Sequence, residues 1–401
     1  MGAHQLRRRA LTAAVLGTAL LAARPAGAFS VIPIPEIVTD PNEGNTIGLL
    51  GVALFTDDQD HIRYMLAPDA AYNPTKGFFP TFRFFGYPTD TRRYSLVLGK
   101  STTRDEDYEL TYEDRGLWEG RAFLLVSALH ERDSTERFYG FGNQSHLLFE
   151  SNYTDNDTVA QVTPGVWLLP SVNLSYRMRI RRFSVEPGQV SGIPFIAREH
   201  PETRNRGLEG GVYWAHQAAL TYDSRDDIDI PTHGALATAY TEAADRRLGS
   251  STSFVKFGLE WRDFIPLRNG NPILALRLLS NYVDGAKDTP FWEMSSLGGR
   301  RTLRAFGGDR FIDFNRAFGG AELRTRVWQR RLFGVNAELE VAPFLEAGQV
   351  FPHLTDSPVS NLHVAYGLGF RGVVRPQVVG FVDVGRGAEG TAIFTGVNYP
   401  F

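Results

Sequence analysis

Three runs decide the fold: Leu297–Phe306 (LGGRRTLRAF), Phe318–Trp328 (FGGAELRTRVW) and Val335–Phe351 (VNAELEVAPFLEAGQVF). The first is a loop, because glycines flank it at Gly298, Gly299, Gly307 and Gly308 and its apolar residues have no helical spacing. The second alternates: Ala321, Leu323, Thr325 and Val327 share one face, and Gly320, Glu322, Arg324 and Arg326 the other. The third repeats the rhythm, with Val335, Ala337, Leu339, Val341 and Leu345 against Asn336, Glu338, Glu340, Glu346 and Gly348. Strands with one oily and one charged face suit a barrel whose outside is lipid and whose inside is wet. Glu322 and Glu346 then point inward, where Arg304 could reach them from an infolded loop. A guanidinium presents a fork of donors suited to carboxylates. Phase alone equally allows a solvated Arg304 and two glutamates that only line the lumen.

The same alternation recurs along the chain. Strand-like runs precede the loop at Thr46–Phe55, Ile62–Tyr72, Gly77–Tyr87, Arg93–Ser101, Glu106–Gly116, Gly120–His130, Thr158–Leu169, Val172–Phe183, Gly210–Tyr222, Gly234–Ala244, Ser253–Ile265 and Ile273–Val283. His363–Val373, Val378–Gly387 and Thr391–Phe401 close the series. Arg132–Asn156, Ser184–Glu209 and Asp284–Asn315 read as long loops. Short and long connections alternate, as turns and outward loops do in a bacterial barrel, which normally has an even number of strands. The reading is an all-β, closed antiparallel transmembrane β-barrel with an inward-folded extracellular loop.

Ahead of the barrel, Arg7–Arg9, an apolar run over Ala10–Ala23 and the small residues Ala26-Gly27-Ala28 form the pattern of a cleaved signal peptide over residues 1–28. Residues 29–45, with Pro33, Pro35 and Pro41, read as an extended lead-in, and 46–401 as the barrel. The absence of cysteine excludes disulfides, thiolate metal sites and cysteine nucleophiles. A net charge of −3, with four arginines inside the signal segment, argues against nucleic acid as a partner.

The quoted runs carry a family resemblance. Arg304 and Phe306 resemble the arginine and aromatic of the Val/Ile-Arg-Gly-Phe/Tyr motif in the inward-folded sixth loop of BamA/TamA-type outer-membrane assembly factors. GGAE (Gly319 to Glu322) and FLEAG (Phe344 to Gly348) resemble that family's next two strand motifs, as RFYGFGN (Arg137 to Asn143) and ESNYT (Glu150 to Thr154) resemble earlier segments. Ala305 stands where the motif has glycine, and Glu346 where it has aspartate. The resemblance implies about sixteen strands, so either one of the first six of the seventeen runs is expected to be wrong, or one run to lie outside the wall. It implies a lock of Arg304 and Phe306 against Glu322 and Glu346, and an outer-membrane location. It also implies a non-enzymatic role in inserting or moving proteins or lipids, with outer-membrane lipids and a periplasmic partner or client protein as partners. The lead-in is too short for a client-binding POTRA module, which points to a barrel-only member. The alternative is a passive pore or structural barrel. Gly396, Tyr399 and Phe401 resemble the end of an outer-membrane β-signal, with Ile393, Thr395, Val397, Tyr399 and Phe401 on one face of the last strand.

Other motifs read as structure. Gly367, Gly369 and Gly372 spell G-x-G-x-x-G, but inside an alternating strand rather than between a strand and a helix. Arg177, Arg179 and Arg181 form either an anion-attracting stripe or lumen charge balanced by neighbouring acids. The histidines lack metal-ligand spacing, and Asp226, Asp227 and Asp229 fit a structural turn, so no metal or cofactor is expected. There is no G-x-S-x-G elbow. Tyr87, Trp118, Trp167, Trp261 and Phe351, near strand ends, suit the membrane interfaces.

Overall fold

A computed structural model describes residues 29–59, 61–285, 289–332, 335–375 and 378–401; the candidate signal peptide lies outside them. The alternating runs form a strand meander. It begins with β1 (Phe29–Asp40), β2 (Gly44–Thr56), β3 (Ile62–Leu66), β4 (Asp69–Asn73), β5 (Gly77–Thr89), β6 (Arg92–Lys100) and β7 (Glu106–Gly116). It continues with β8 (Ala122–Phe138), β9 (Ser151–Leu169), β10 (Val172–Pro187), β11 (Gly211–Asp223), β12 (Gly234–Ala244), β13 (Phe254–Pro266) and β14 (Ile273–Gly285). The central loop holds a small hairpin of β15 (Ser295–Leu297) and β16 (Phe311–Asp313). The wall then resumes with β17 (Asn315–Leu332), β18 (Val335–Phe351), β19 (His363–Val374), β20 (Val378–Gly387) and β21 (Gly390–Val397).

Wall strands pair antiparallel with their chain neighbours, and the ring closes where β21 meets β1 at Thr39↔Ile393. β3 and β4 both bridge β2 and β5, so they are halves of one wall strand, interrupted at Pro68, which has no amide to donate. Counted so, eighteen strands form the wall. The expectation of about sixteen is corrected upward: all seventeen runs belong to the wall, and the eighteenth strand is β1, read from sequence as a lead-in. Its prolines hid it. Pro33 and Pro35 deplete donors from the same edge of the strand. β1 tolerates this because it pairs with β2 along its whole length but with β21 at one residue pair.

The oily faces point outward. On β13, Phe257 and Leu259 are 46% and 50% exposed, whereas Phe254 and Phe264 on the opposite face are 2% exposed. A continuous belt of this kind is untenable in water and matches bilayer hydrocarbon. Among the described residues no helix is long and apolar enough to cross a membrane; strands make the crossing. The Arg132–Asn156 loop is shorter than expected. β8 and β9 run on through most of it, because above the hydrocarbon a strand keeps its ladder without needing an oily face.

The lumen is not uniformly wet. Leu50, Val52 and Leu54 of β2 pack with Met65, Val374 and Val378 beside the seam, joined by Ile34, Val397 and Tyr87. Tyr87 and Phe351 are thus drawn inward instead of lying at the membrane interfaces; Phe351 is buried against Tyr282. Trp118 stays exposed in the turn after β7.

Candidate functional site

The loop between β14 and β17 folds into the barrel, and its tip is tight without the motif glycine. Leu303 takes a positive φ of 52°, and the amides of Ala305 and Phe306 both donate to its carbonyl. The wall makes room for it. A side chain at Gly385 would strike the Arg304 carbonyl oxygen at 1.7 Å, and one at Gly387 would meet the Phe306 ring at 2.8 Å. Phe306 is buried, edge-on to Phe311 and His363. Leu297, Leu303, Phe318 and Val350 complete that apolar cluster.

Arg304 is 0% exposed and meets both acids read from the sequence. Its Nε donates to Glu346 at 2.8 Å and its Nη1 to Glu322 at 2.9 Å; its backbone amide also donates to Glu346 at 2.7 Å. A third carboxylate, Asp383 of β20, accepts from Nη1 at 2.8 Å. Phe344, the first residue of FLEAG, lies face-on to the guanidinium with its ring centroid 3.8 Å away. Arg324 donates to Glu322, and Arg371 bridges Glu322 and Asp383. Three guanidiniums thus balance three carboxylates out of contact with solvent. Burial works against the charge on Arg304, but Glu346, Glu322 and Asp383 outweigh it and hold the proton more tightly than usual. The G-x-G-x-x-G run serves this network. Side chains at Gly367 and Gly369 would collide with the Phe344 ring and with Asp383 and Arg371.

Asp383, Arg371 and Arg324 were not singled out from sequence. Their signal was present, since each is a charged residue in lumen phase that follows an apolar one: Leu323, Phe370 and Val382. A second anchor was also missed. Glu293, in the short turn Phe291–Glu293 of the same loop, is fully buried and pairs with Arg179 (3.0 Å), Arg181 (2.9 Å) and Lys256. Glu242 also accepts from Arg177 and Arg179. The arginine stripe of β10 is therefore balanced lumen charge. Burial would raise the Glu293 pKa; Lys256, Arg179 and Arg181 reverse this and hold it well below the ordinary value. Arg310 adds a third tie, to Glu389 and Ser145.

The C-terminal motif residues part company. Gly396 stays in β21 opposite Phe381. At Asn398 the backbone turns (φ 71°), a conformation asparagine tolerates, and Pro400 cannot continue a ladder. Tyr399 and Phe401 therefore leave the line of Ile393, Thr395 and Val397 and enter the lumen. The Tyr399 hydroxyl donates to Glu340 at 2.8 Å, with Arg324 3.7 Å over its ring. Phe401 packs on Phe264, Ile273 and Ala275, and its ring centre is 5.9 Å from Arg304.

An eighteen-stranded wall with an oily belt and a clamped internal loop defines a transmembrane barrel of the bacterial outer-membrane class. The Omp85 superfamily domain matches residues 90–372, and the chain belongs to that superfamily. Two solved structures share the fold. BamA from Haemophilus ducreyi lacking POTRA domains 1-3 aligns with a TM-score of 0.56 at 11% identity, over 97% of this chain and 78% of that one. CdiB from Escherichia coli aligns at 0.51 and 10% identity over 94% of this chain, which spans 62% of the CdiB chain. No curated protein matches the sequence. The fold is that of an integral outer-membrane protein.

Proposed function

We propose that this barrel acts without catalysis, aiding the insertion or translocation of proteins or lipids at the outer membrane through its β1–β21 seam. The observation that carries the reading is the imbalance across β1. Twelve residue pairs join it to β2 and one joins it to β21. One ladder pair leaves few backbone hydrogen bonds to break on lateral opening, and below Thr39 the apolar cluster of Leu50, Val52 and Leu54 with Val374 and Val378 lies beside the seam. Outer-membrane lipids contact the belt at that line. A client would arrive there, delivered by a periplasmic partner. The clamped loop keeps the remaining wall in shape while the seam works.

Cysteines replacing Thr39 and Ile393 test this, since opposed strand residues lie within disulfide range and the chain has no other thiol. The stapled protein should lose its ability to speed folding of a small outer-membrane barrel into vesicles, and reduction should restore it. Equal activity in both forms, or depletion that leaves outer-membrane protein and lipid content unchanged, contradicts the reading. A passive pore is the second reading, favoured by a luminal cavity of about 1180 Å³ beside the loop. Steady single-channel conductance would support it.

A further inference from the structure

The short-turn end of the barrel is not open. The connection between β11 and β12, Ser224 to His233, folds across that mouth. Its Asp229 accepts from Arg93 of β6 at 3.0 Å, while Ile230, 1% exposed, seats on Val373 of β19, Val379 of β20 and Tyr399. These contacts lie about a third of the way round the wall on either side, so the turn spans the opening. It is internally rigid. The Asp226 carboxylate accepts from the amides of Thr232 and His233, and Asp227 from those of Asp229 and Ile230. At its root, a side chain at Gly234 would strike the Ser224 carbonyl at 2.2 Å. The unit is a preformed strap held down chiefly by one ion pair and one apolar seat.

Above it lies the cavity noted earlier, bounded by Asp229 and Arg93 at the mouth and by the central loop along one side. Acids outnumber bases in its walls: Glu36, Glu109, Glu131 and Glu136 are among the acids, and Lys76, Arg83, Arg300 and Arg301 among the bases. Asp69, its side chain 4% exposed, pairs through Oδ2 with Arg83 and leaves Oδ1 without a hydrogen-bond partner. Glu131 is exposed to the cavity and Glu136 half-buried.

We infer that the 224–233 turn is a lid over a cation-accepting chamber, and that releasing it admits small organic or inorganic cations from the short-turn side in preference to anions. Nothing in the insertion reading requires such a lid, so either can fail alone.

The test uses the cysteine-free full chain carrying Ser95→Cys, a small residue in the chamber wall above Arg93. Two thiol reagents of similar size are compared in detergent-solubilised protein: a trimethylammonium-ethyl and a sulfonato-ethyl methanethiosulfonate, each normalised to its rate with free cysteine. With the lid intact both should react slowly. Adding Ile230→Gly should speed the cationic reagent about tenfold or more, since the buried isoleucine is the main apolar fastening, and leave the anionic reagent well behind. Arg93→Gln, which removes the ion pair to Asp229 together with the one to Glu113 and leaves Ile230 seated, should act in the same direction to a smaller extent. It also serves as the test if Ile230→Gly lacks the heat-dependent gel shift of a folded barrel. Labelling rates that neither substitution changes overturn the lid. An anionic reagent as fast as the cationic one overturns the chamber's preference.

Discussion

Replacing Arg304 by alanine should free the central loop. Arg304 is the cation that neutralises Glu346, which among the described residues touches no other, and it supplies one of two contacts to Asp383. The substitution leaves a buried carboxylate unpaired, and breaking one side of such a pair costs about 3–5 kcal/mol. It also strips the cation from the Phe344 ring. A loss in the middle of that range shifts the balance between inserted and released loop roughly a thousandfold. Arg304→Lys should fall between, because an ammonium cannot span three carboxylates as a fork does. Adding Glu346→Gln to Arg304→Ala should recover part of the loss, since the stranded charge is gone. The assay is urea unfolding in lipid micelles, with limited proteolysis of the loop in parallel. An Arg304→Ala midpoint within about 0.5 kcal/mol of the parent, with the loop still protected, would refute the clamp.

Glu293→Gln should loosen the same loop from the opposite wall by a few kcal/mol, about 2–4, raising protease cleavage near Phe291–Glu293. Because the Glu293 pKa is depressed below the ordinary 4.5, its contribution is complete above that value and fades as pH falls toward the lower folded pKa; protection measured at neutral and at acid pH checks this. Gly385→Ala should cost about 1–3 kcal/mol, because its methyl would overlap the Arg304 carbonyl; Gly372→Ala, with nothing within 4 Å, should change the midpoint little. Phe401→Ala should cost about 3–5 kcal/mol as a luminal truncation, whereas Phe257→Ala on the lipid face should cost less.

The barrel was legible because two-residue alternation survives wherever one face meets lipid and the other does not. It failed at the margins for physical reasons. β1 carries prolines that a one-sided strand can accept. β8 and β9 continue above the hydrocarbon, where phase carries no signal. In the site, Arg304 meets Glu322 and Glu346 as the family motif implied, but Arg324, two residues along from Glu322, and Arg371 and Asp383, on strands read only as wall, complete the charge balance. Tyr399 and Phe401 leave the face read as shared with Ile393, Thr395 and Val397 because a single left-handed residue, Asn398, redirects the chain. The fold of Ser224–His233 across the mouth left no periodic trace at all.

The most direct measurement is a disulfide between Ala305→Cys at the loop tip and Gly387→Cys in β20. A β-carbon at Gly387 would lie 3.1 Å from that of Ala305, close to disulfide range. In intact outer membranes the pair should cross-link readily under mild oxidation, and less readily once Arg304 is also replaced by alanine. Two free thiols that stay uncrosslinked and react with an impermeant maleimide from outside would place the loop outside the lumen, contrary to the clamp described here.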